Sequence, residues 1–548
     1  MKVIVVGSGI GGLSCGIVLA RLGYDVTVLE KNRQPGGLLR SYVRGGVHCN
    51  VGLHYLGALD EGQVLRRCFE YLGIMDQLPL ARMGGDGPVD RYLFVNGGPG
   101  IDSFDVPVGL DAYQDNLRAA FPDQGQQIDA LMAMLHRSVG QFEQLDFLYK
   151  DIPAQYWFEQ TEALGALLDR LGCSAGLRAV FGLPSVLIGV PPVQCPYFYH
   201  AITLASYLSS AWRLESNGAQ MADVCVRRLT ALGGRVRSGE AVVAIRAGQG
   251  AVQGVTLASG EELDADLVIS SLHPRATVSL LPPACVKPSY RRRTHELIDT
   301  HGMIAVHALV PADRHPALAH NLYAVETDGA GDARDLIFMQ LRPSERPGRN
   351  LLSLITAGHD ELWQPWRDTL SGRRGDDYQQ AKTAFARALI ARTEAFNGAF
   401  SELELLDVST PLTIRDWVGS PGGSAYGVMR STGQLLSAAL LNRSSVSGLF
   451  LAGQSVLSPG VLGPSSVRWP RSSSSSGRNA SGGRCGSDAY SADQSPQLRP
   501  QYPRGTVRHH LAETDLPRRA AGPGGTGRQP ARARGVHPRP EGRARGVG

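Results

Sequence analysis

The chain has 548 residues, 43% of them hydrophobic, enough for a sizeable core and, on length alone, about two to four domains. Its net charge of +5 misleads, because fifteen of the 55 basic and five of the 50 acidic residues fall after Gly463, leaving 40 basic against 45 acidic before it; a mildly acidic body excludes a nucleic-acid-binding footprint. Eight scattered cysteines contain no Cys-x-x-Cys pair, which excludes a zinc site or disulfide framework and suits reduced thiols in the cytoplasm.

The first apolar run, Val3 to Val6, is β-branched and suits a strand buried on both faces. It leads into Gly7-Ser8-Gly9-Ile10-Gly11-Gly12, so Gly7, Gly9 and Gly12 satisfy Gly-x-Gly-x-x-Gly. Leu13, Ile17, Ala20 and Leu22 then mark a helical face, with Gly23 where a C-terminal cap belongs. A second strand, Val26 to Leu29, ends in Glu30, eighteen residues after Gly12. The first glycine allows a tight turn, the second lets backbone approach a pyrophosphate, and the third lets helix and strand pack closely. The helix N-terminus offers free N–H groups to phosphate, and Glu30 offers a carboxylate to a ribose. Strand, glycines, helix, strand and acid in this order predict a dinucleotide site.

The doublet Gly36-Gly37 follows Pro35 closely. This extension resembles the FAD-binding fold of the amine oxidase and phytoene desaturase superfamily rather than that of a simple NAD dehydrogenase. The resemblance implies FAD, and it implies that Arg40 to Tyr55 run beside the flavin.

From about Val64 to Leu208 the residues read as mostly helical, with Asp102 to Val108 open between strand and loop. Ala179 to Trp212 is the most apolar region, and Pro184, Pro191, Pro192 and Pro196 break it into short elements. It reads as buried helix, as the lining of an apolar tunnel with a part touching a membrane surface, or as both. No apolar run of 18 residues is present, so no spanning helix is expected. Met1-Lys2 leads directly into the first strand, so no signal peptide is expected either.

Met221 to Leu232 reads as an amphipathic helix and Gly233-Gly234 as a turn. Val236, Ala241 to Ile245, Val252 to Leu257 and Asp266 to Ser270 read as strands that return to the nucleotide site. Three more strands, Gly302 to Val310, Asp335 to Leu341 and Asn350 to Ala357, suggest an antiparallel floor under a substrate cavity. His307 and His359 near them read as satisfied structural histidines. Leu449 to Leu451 is a short strand, and Ala452-Gly453 permits close approach to a ligand.

The ordered set, with Gly52-Leu53-His54-Tyr55-Leu56-Gly57 and the segment from Gly448 to Gly463, resembles the flavoprotein family of phytoene desaturases, carotenoid isomerases and all-trans-retinol saturases. The resemblance covers Met1 to Gly463. Gln454 stands where the superfamily often carries an acid, a feature of the saturase-like branch. The expected fold is α/β. A discontinuous Rossmann-like FAD-binding domain (1–60, 215–275 and 406–463) accompanies an α+β substrate domain (61–214 and 276–405). After Gly463 the composition turns abruptly to Ser, Arg, Pro and Gly, which reads as a disordered tail or as a shifted reading frame replacing an apolar helix.

The resemblance implies an oxidoreductase that saturates, desaturates or isomerises an apolar polyene or isoprenoid, in the cytoplasm or peripherally on a membrane. NAD(P)H is a candidate electron donor, and no metal is expected. Candidate cofactor contacts are Gly7, Gly9, Ile10, Gly11, Gly12, Glu30, Lys31, Gly36, Gly37, Arg40, Val243, Gly453, Gln454, Gly460 and Val461. His54, Tyr55 and Tyr426 are the candidates to donate a proton or position substrate. An amine oxidase-like flavoenzyme and a non-enzymatic prenyl or lipid escort protein are the alternatives.

Overall fold

The computed structural model describes residues 1–143, 161–215, 217–435, 437, 441, 444–456 and 460–461. They belong to one compact unit, Met1–Arg471. The expected tail, residues 464–548, lies outside the described residues.

A five-stranded sheet runs in the order Arg235–Ser238, Asp25–Glu30, Lys2–Val6, Leu267–Ser270 and Leu449–Leu451. Every pairing in it is parallel. Burial on both faces explains why the central strand is a continuous β-branched run, with Val3, Val5, Val26 and Val28 at 0–1% exposure. Ile10–Arg21 covers one face through Leu13, Cys15, Ile17 and Leu19. Each such side chain contributes about 1.5–3 kcal/mol by burial. Strands from the beginning, middle and far end of residues 2–451 thus build one layer. A small antiparallel sheet, Val242–Gly248, Ala251–Leu257 and Glu262–Asp264, stands beside it.

The second large layer is a seven-stranded sheet ordered Glu404–Ser409, Met303–Pro311, Arg349–Ala357, Ala333–Pro343, Asn321–Thr327, Asp90–Phe94 and Ser103–Val106. It is antiparallel except where Asn321–Thr327 meets Asp90–Phe94. Its register aligns two rows of side chains on one face. Tyr92, Tyr323, Phe338, Ile355, Ala305 and Ser409 form one row. Two residues along each strand, and so on the same face, Asp90, Asn321, Gln340, Ser353, His307 and Asp407 form a polar row.

Helices Leu110–Ala120, Gly125–Glu143, Leu164–Leu171, Ala175–Gly182 and Tyr197–Ser209 pack around a core that includes Tyr92, Tyr323 and Phe338. The proline-rich apolar region is indeed several short pieces, ending in the strand Ala211–Leu214. No helix among the described residues is long and apolar enough to cross a membrane.

The mostly helical expectation for Val64 to Leu208 needs correction at two strands, Leu80–Arg82 and Asp90–Phe94, while the stretch left open between strand and loop contains the strand Ser103–Val106. Asp90–Phe94 finds its parallel partner some 230 residues later, a pairing that no local periodicity signals.

Candidate active site

A single cavity of about 1440 Å³ runs between the two large sheets, larger than the roughly 300–1,000 Å³ of a typical small-molecule site. At one end its wall is the glycine turn. Gly7, Gly9, Ile10 and Gly11 line it, and Gly9 caps Ile10–Arg21 with no side-chain hydrogen bond and no acid in the first turn. The helix N–H groups therefore remain available to an anion. A Cβ on Gly9 would meet nothing within 4 Å, whereas one on Gly12 would lie 2.0 Å from the Gly7 carbonyl oxygen. Gly12 serves close packing and does not line the cavity. Gly7 has φ +94°, and a Cβ there would lie 2.7 Å from Ser271 Oγ.

Glu30, 6% exposed, ends its strand against this turn. Its Oε2 accepts from Ser8 N (3.1 Å) and Ser8 Oγ (2.6 Å), and its Oε1 from Asn32 N (2.9 Å) and Asn32 Nδ2 (2.8 Å). The carboxylate is thus preset in position at the cavity wall. Lys31 lines the wall as well and donates from Nζ to the Asp416 carbonyl at 2.9 Å; burial lowers its pKa. Gly36 donates its N–H to Ser8 Oγ at 3.1 Å. Gly37 (φ +57°) sits so near Gly9 that a Cβ would lie 3.1 Å from the Gly9 Cα. Gly453, Gln454, Gly460 and Val461 line the cavity from the far part of the chain, and Gln454 Nε2 donates to the Ala425 carbonyl at 3.2 Å.

Besides Gly12, two expected contacts fall elsewhere. Val243 is 51% exposed, because a register shift between Val242 and Ala244 turns it outward; Glu240, Ala241 and Val242 line the wall instead. Arg40 is 6% exposed but lies behind the wall, donating from Nε to the Gly37 carbonyl (3.1 Å) and from a terminal nitrogen to the Trp417 carbonyl (2.9 Å). It braces the glycine doublet against the helix Pro411–Val418.

At the other end the lining turns apolar, with Ile188, Ile202, Tyr207, Tyr323, Phe338 and Ile355. His54, Tyr55 and Tyr426 all come together on this cavity. Burial, with Arg342 and His307 nearby, drops the His54 pKa to about 3, so its imidazole is neutral at pH 7 and positions rather than donates as an imidazolium. Burial raises Tyr426 to about 12. Tyr55 stacks on Tyr207 with centroids 4.4 Å apart, and its hydroxyl meets Asp90 Oδ2 (3.1 Å) and the Tyr323 hydroxyl (2.9 Å). His307 is only half satisfied: fully buried, its Nδ1 lies 3.0 Å from Ser353 Oγ, while its Nε2 has no hydrogen-bond partner among the described residues.

Sequence reasoning missed Asp90, Tyr323 and Arg430. The Arg430 guanidinium lines the cavity at 2% exposure. Among the described residues its one hydrogen bond goes to the Gln454 carbonyl at 3.4 Å, and its Nε has no partner. A buried cation without a carboxylate calls for an anionic or carbonyl-bearing ligand. Together with the free helix N-terminus and the open face of Gly9, it makes the residues present fit a dinucleotide cofactor. Gly7, Gly9, Ile10 and Gly11 would take the diphosphate and Glu30 a ribose, with the Gly453–Gln454 turn closing over the other side. No cluster of potential metal ligands occurs among the described residues.

A helix-capped dinucleotide cradle, closed by strands from both ends of residues 2–451 and continuous with an apolar chamber, defines a flavin-dependent oxidoreductase. Residues 10–465 match the family of flavin containing amine oxidoreductases, and the chain belongs to that family. All-trans-retinol 13,14-reductase of Macaca fascicularis is 24% identical over 84% of this chain and 83% of its own length. A 4,4'-diapophytoene desaturase of Methylomonas sp is 24% identical over 52% of this chain and 56% of its own. Chloroplastic prolycopene isomerase of Daucus carota is 25% identical over 82% and 76%. Among solved structures, an oxidoreductase from Methanosarcina mazei superposes with TM-score 0.58 at 16% identity, over 85% of this chain and 98% of that one. Putrescine oxidase bound to putrescine superposes with TM-score 0.57 at 15% identity, over 85% and 97%. These likenesses establish the fold.

Proposed function

We propose that this protein acts on an apolar polyene or isoprenoid, of carotenoid or retinoid kind, at a C=C or C–C bond. One observation carries the reading: the cavity that begins at the glycine cradle ends in aromatic and aliphatic side chains with no free carboxylate. Three carboxylates line it, and each is engaged. Ser8 and Asn32 hold Glu30, Arg237 pairs with Glu240 at 3.0 Å, and Arg392 pairs with Asp335 at 2.8 Å. An amine substrate would find no anion to hold its ammonium, whereas a hydrocarbon chain matches the wall by the hydrophobic effect alone.

FAD supplies hydride transfer when bound. The protein's part is to hold the polyene against it in a dry chamber, with Tyr207, Phe338 and Ile355 as the apolar wall, His54 and Tyr426 positioning, and Tyr55 supplying a hydroxyl. The discontinuous division into nucleotide and substrate domains belongs to this reading. So do an NAD(P)H electron donor, a cytoplasmic location and a peripheral membrane contact through which substrate enters. No disulfide joins the seven described cysteines, and Val193 exposes 57% of its surface next to the cavity-lining Pro191; both features support it.

The test is to incubate flavin-loaded protein with retinol, phytoene and lycopene isomers under donor and acceptor conditions, identifying products by mass and absorbance. A product altered by two hydrogens or in double-bond geometry supports the reading. Bleaching of the flavin by amines, with every polyene unchanged, overturns it.

A further inference from the structure

The polar row of the seven-stranded sheet contains a carboxyl group that no stability argument explains. Asp90 is 2% exposed, beside Asn321 at 0% and Gln340 at 1%. Among the described residues, no Lys, Arg or His forms an ion pair with it. Arg213 acts on it only from a distance, since that guanidinium donates to the carbonyls of Leu318 and Ala319. The other groups facing it are phenols: Tyr55, Tyr92, Tyr207 and Tyr323. A buried carboxylate without a cation costs several kcal/mol, whereas a neutral carboxylic acid does not.

The amides dictate which oxygen carries the proton. Gln340 Nε2 donates to Asn321 Oδ1 at 2.9 Å, its own Oε1 having no partner among the described residues, and in this arrangement Asn321 turns its NH2 toward Asp90 and donates to Oδ1 at 2.8 Å. That leaves Oδ2 for the proton, and Oδ2 is the atom 3.1 Å from the Tyr55 hydroxyl. Tyr55 in turn lies 2.9 Å from the Tyr323 hydroxyl. Tyr55 has both its neighbours filled, but among the described residues the Tyr323 hydroxyl has Tyr55 alone and so retains hydrogen-bonding capacity. Its side chain belongs to the apolar row that floors the cavity.

We propose that Asp90, Tyr55 and Tyr323 form a proton-delivery line into the substrate chamber, with Asp90 as the buried reservoir and Tyr323 as the hydroxyl that meets the polyene. The inference rests on the functional reading above. Saturating a C=C bond takes a hydride, with its electron pair, at one carbon and a proton at the other. The hydride comes from reduced FAD. The proton comes from the Tyr323 O–H, which breaks as the new C–H bond forms; Tyr55 reprotonates Tyr323, and Asp90 reprotonates Tyr55. The line ends with one carboxylate at Asp90, which takes up one proton from solvent before the next turnover. Desaturation runs the same line in reverse. Burial, opposed only in part by Asn321, Tyr55 and Arg213, lifts the Asp90 pKa to about 7, where it can both hold and release a proton near neutrality.

Two measurements test this, and the first needs neither substrate nor turnover. Infrared difference spectra of wild type and Asp90→Asn, from about pH 5 to about pH 9, should show a protonated-carboxyl C=O band that vanishes in the variant and titrates near neutrality. Absence of that band at about pH 5 would overturn the proposal, whatever the enzyme turns over. The second uses a polyene that the protein saturates. Tyr323→Phe and Asp90→Asn should each lower kcat by about 100-fold or more with little change in KM, the range of general acid catalysis. Asp90→Glu should restore part of it, and Asp90→Asn should flatten the pH profile while deuterium from solvent labels one product carbon. Unchanged kcat and pH profile in both variants would also overturn it. Failure of every polyene with the infrared band present would refute the substrate reading and leave the reservoir standing.

Discussion

Replacing Asp90 by Asn should make the protein more stable, by an amount that grows from about pH 4 and is complete above about pH 7. Asn is close to isosteric with the neutral acid: its carbonyl can accept from Asn321, and its NH2 can replace the O–H that points at Tyr55. The wild-type pKa rises from 3.8 to about 7 on folding, mainly by burial. Between those values the folded state binds a proton that the unfolded state has released, so stability falls as pH rises through the window. About three pKa units at about 1.4 kcal/mol each give a loss of about 4 kcal/mol, complete above about pH 7. The variant cannot ionise there and lacks this loss. Urea unfolding of flavin-loaded protein at about pH 5 and about pH 8 measures it through the shift in midpoint. The expected result is a variant already more stable by about 1.6 kcal/mol at the lower pH, which lies about 1.2 pH units above 3.8, and by about 4 kcal/mol at the higher. A wild type that gains on the variant as pH rises would show that Asp90 is ionised in the fold, and the reasoning would fail.

Gly12→Ala should yield protein without bound flavin, because its Cβ would enter the Gly7 carbonyl at 2.0 Å and push helix from strand; absorbance of the purified protein reads it directly. Glu30→Gln should weaken flavin binding by about 10- to 100-fold, the loss of one charge-assisted hydrogen bond of about 1.5–3 kcal/mol, as measured by fluorescence titration. Val243→Ala should change neither flavin affinity nor stability by more than about 0.5 kcal/mol, since its side chain faces solvent; a tenfold loss of affinity would restore it to the site.

Before any folding is considered, the stretch from Val3 to Gly37 already predicts a dinucleotide site, because its chemistry is local. Strand, glycine turn, helix and acid lie within forty residues, and each glycine is demanded by backbone geometry that no side chain can imitate. The resemblance of this stretch, and of Gly52 to Gly57, to a flavoprotein family pointed to the same class that the family match establishes. Chain order alone could not place Val243, whose outward turn depends on a bulge in an antiparallel pair. Nor could it expose Asp90. That residue sits in a short alternating stretch, DRYLF, which looks like an unremarkable segment of a helical region. It becomes a buried acid only when Asn321 pairs beside it, Gln340 fixes the amide of Asn321, and Tyr55 arrives from the nucleotide side. Local geometry is written in neighbouring residues. A proton held by groups hundreds of positions apart is decided by sheet register, which only the assembled tertiary structure sets.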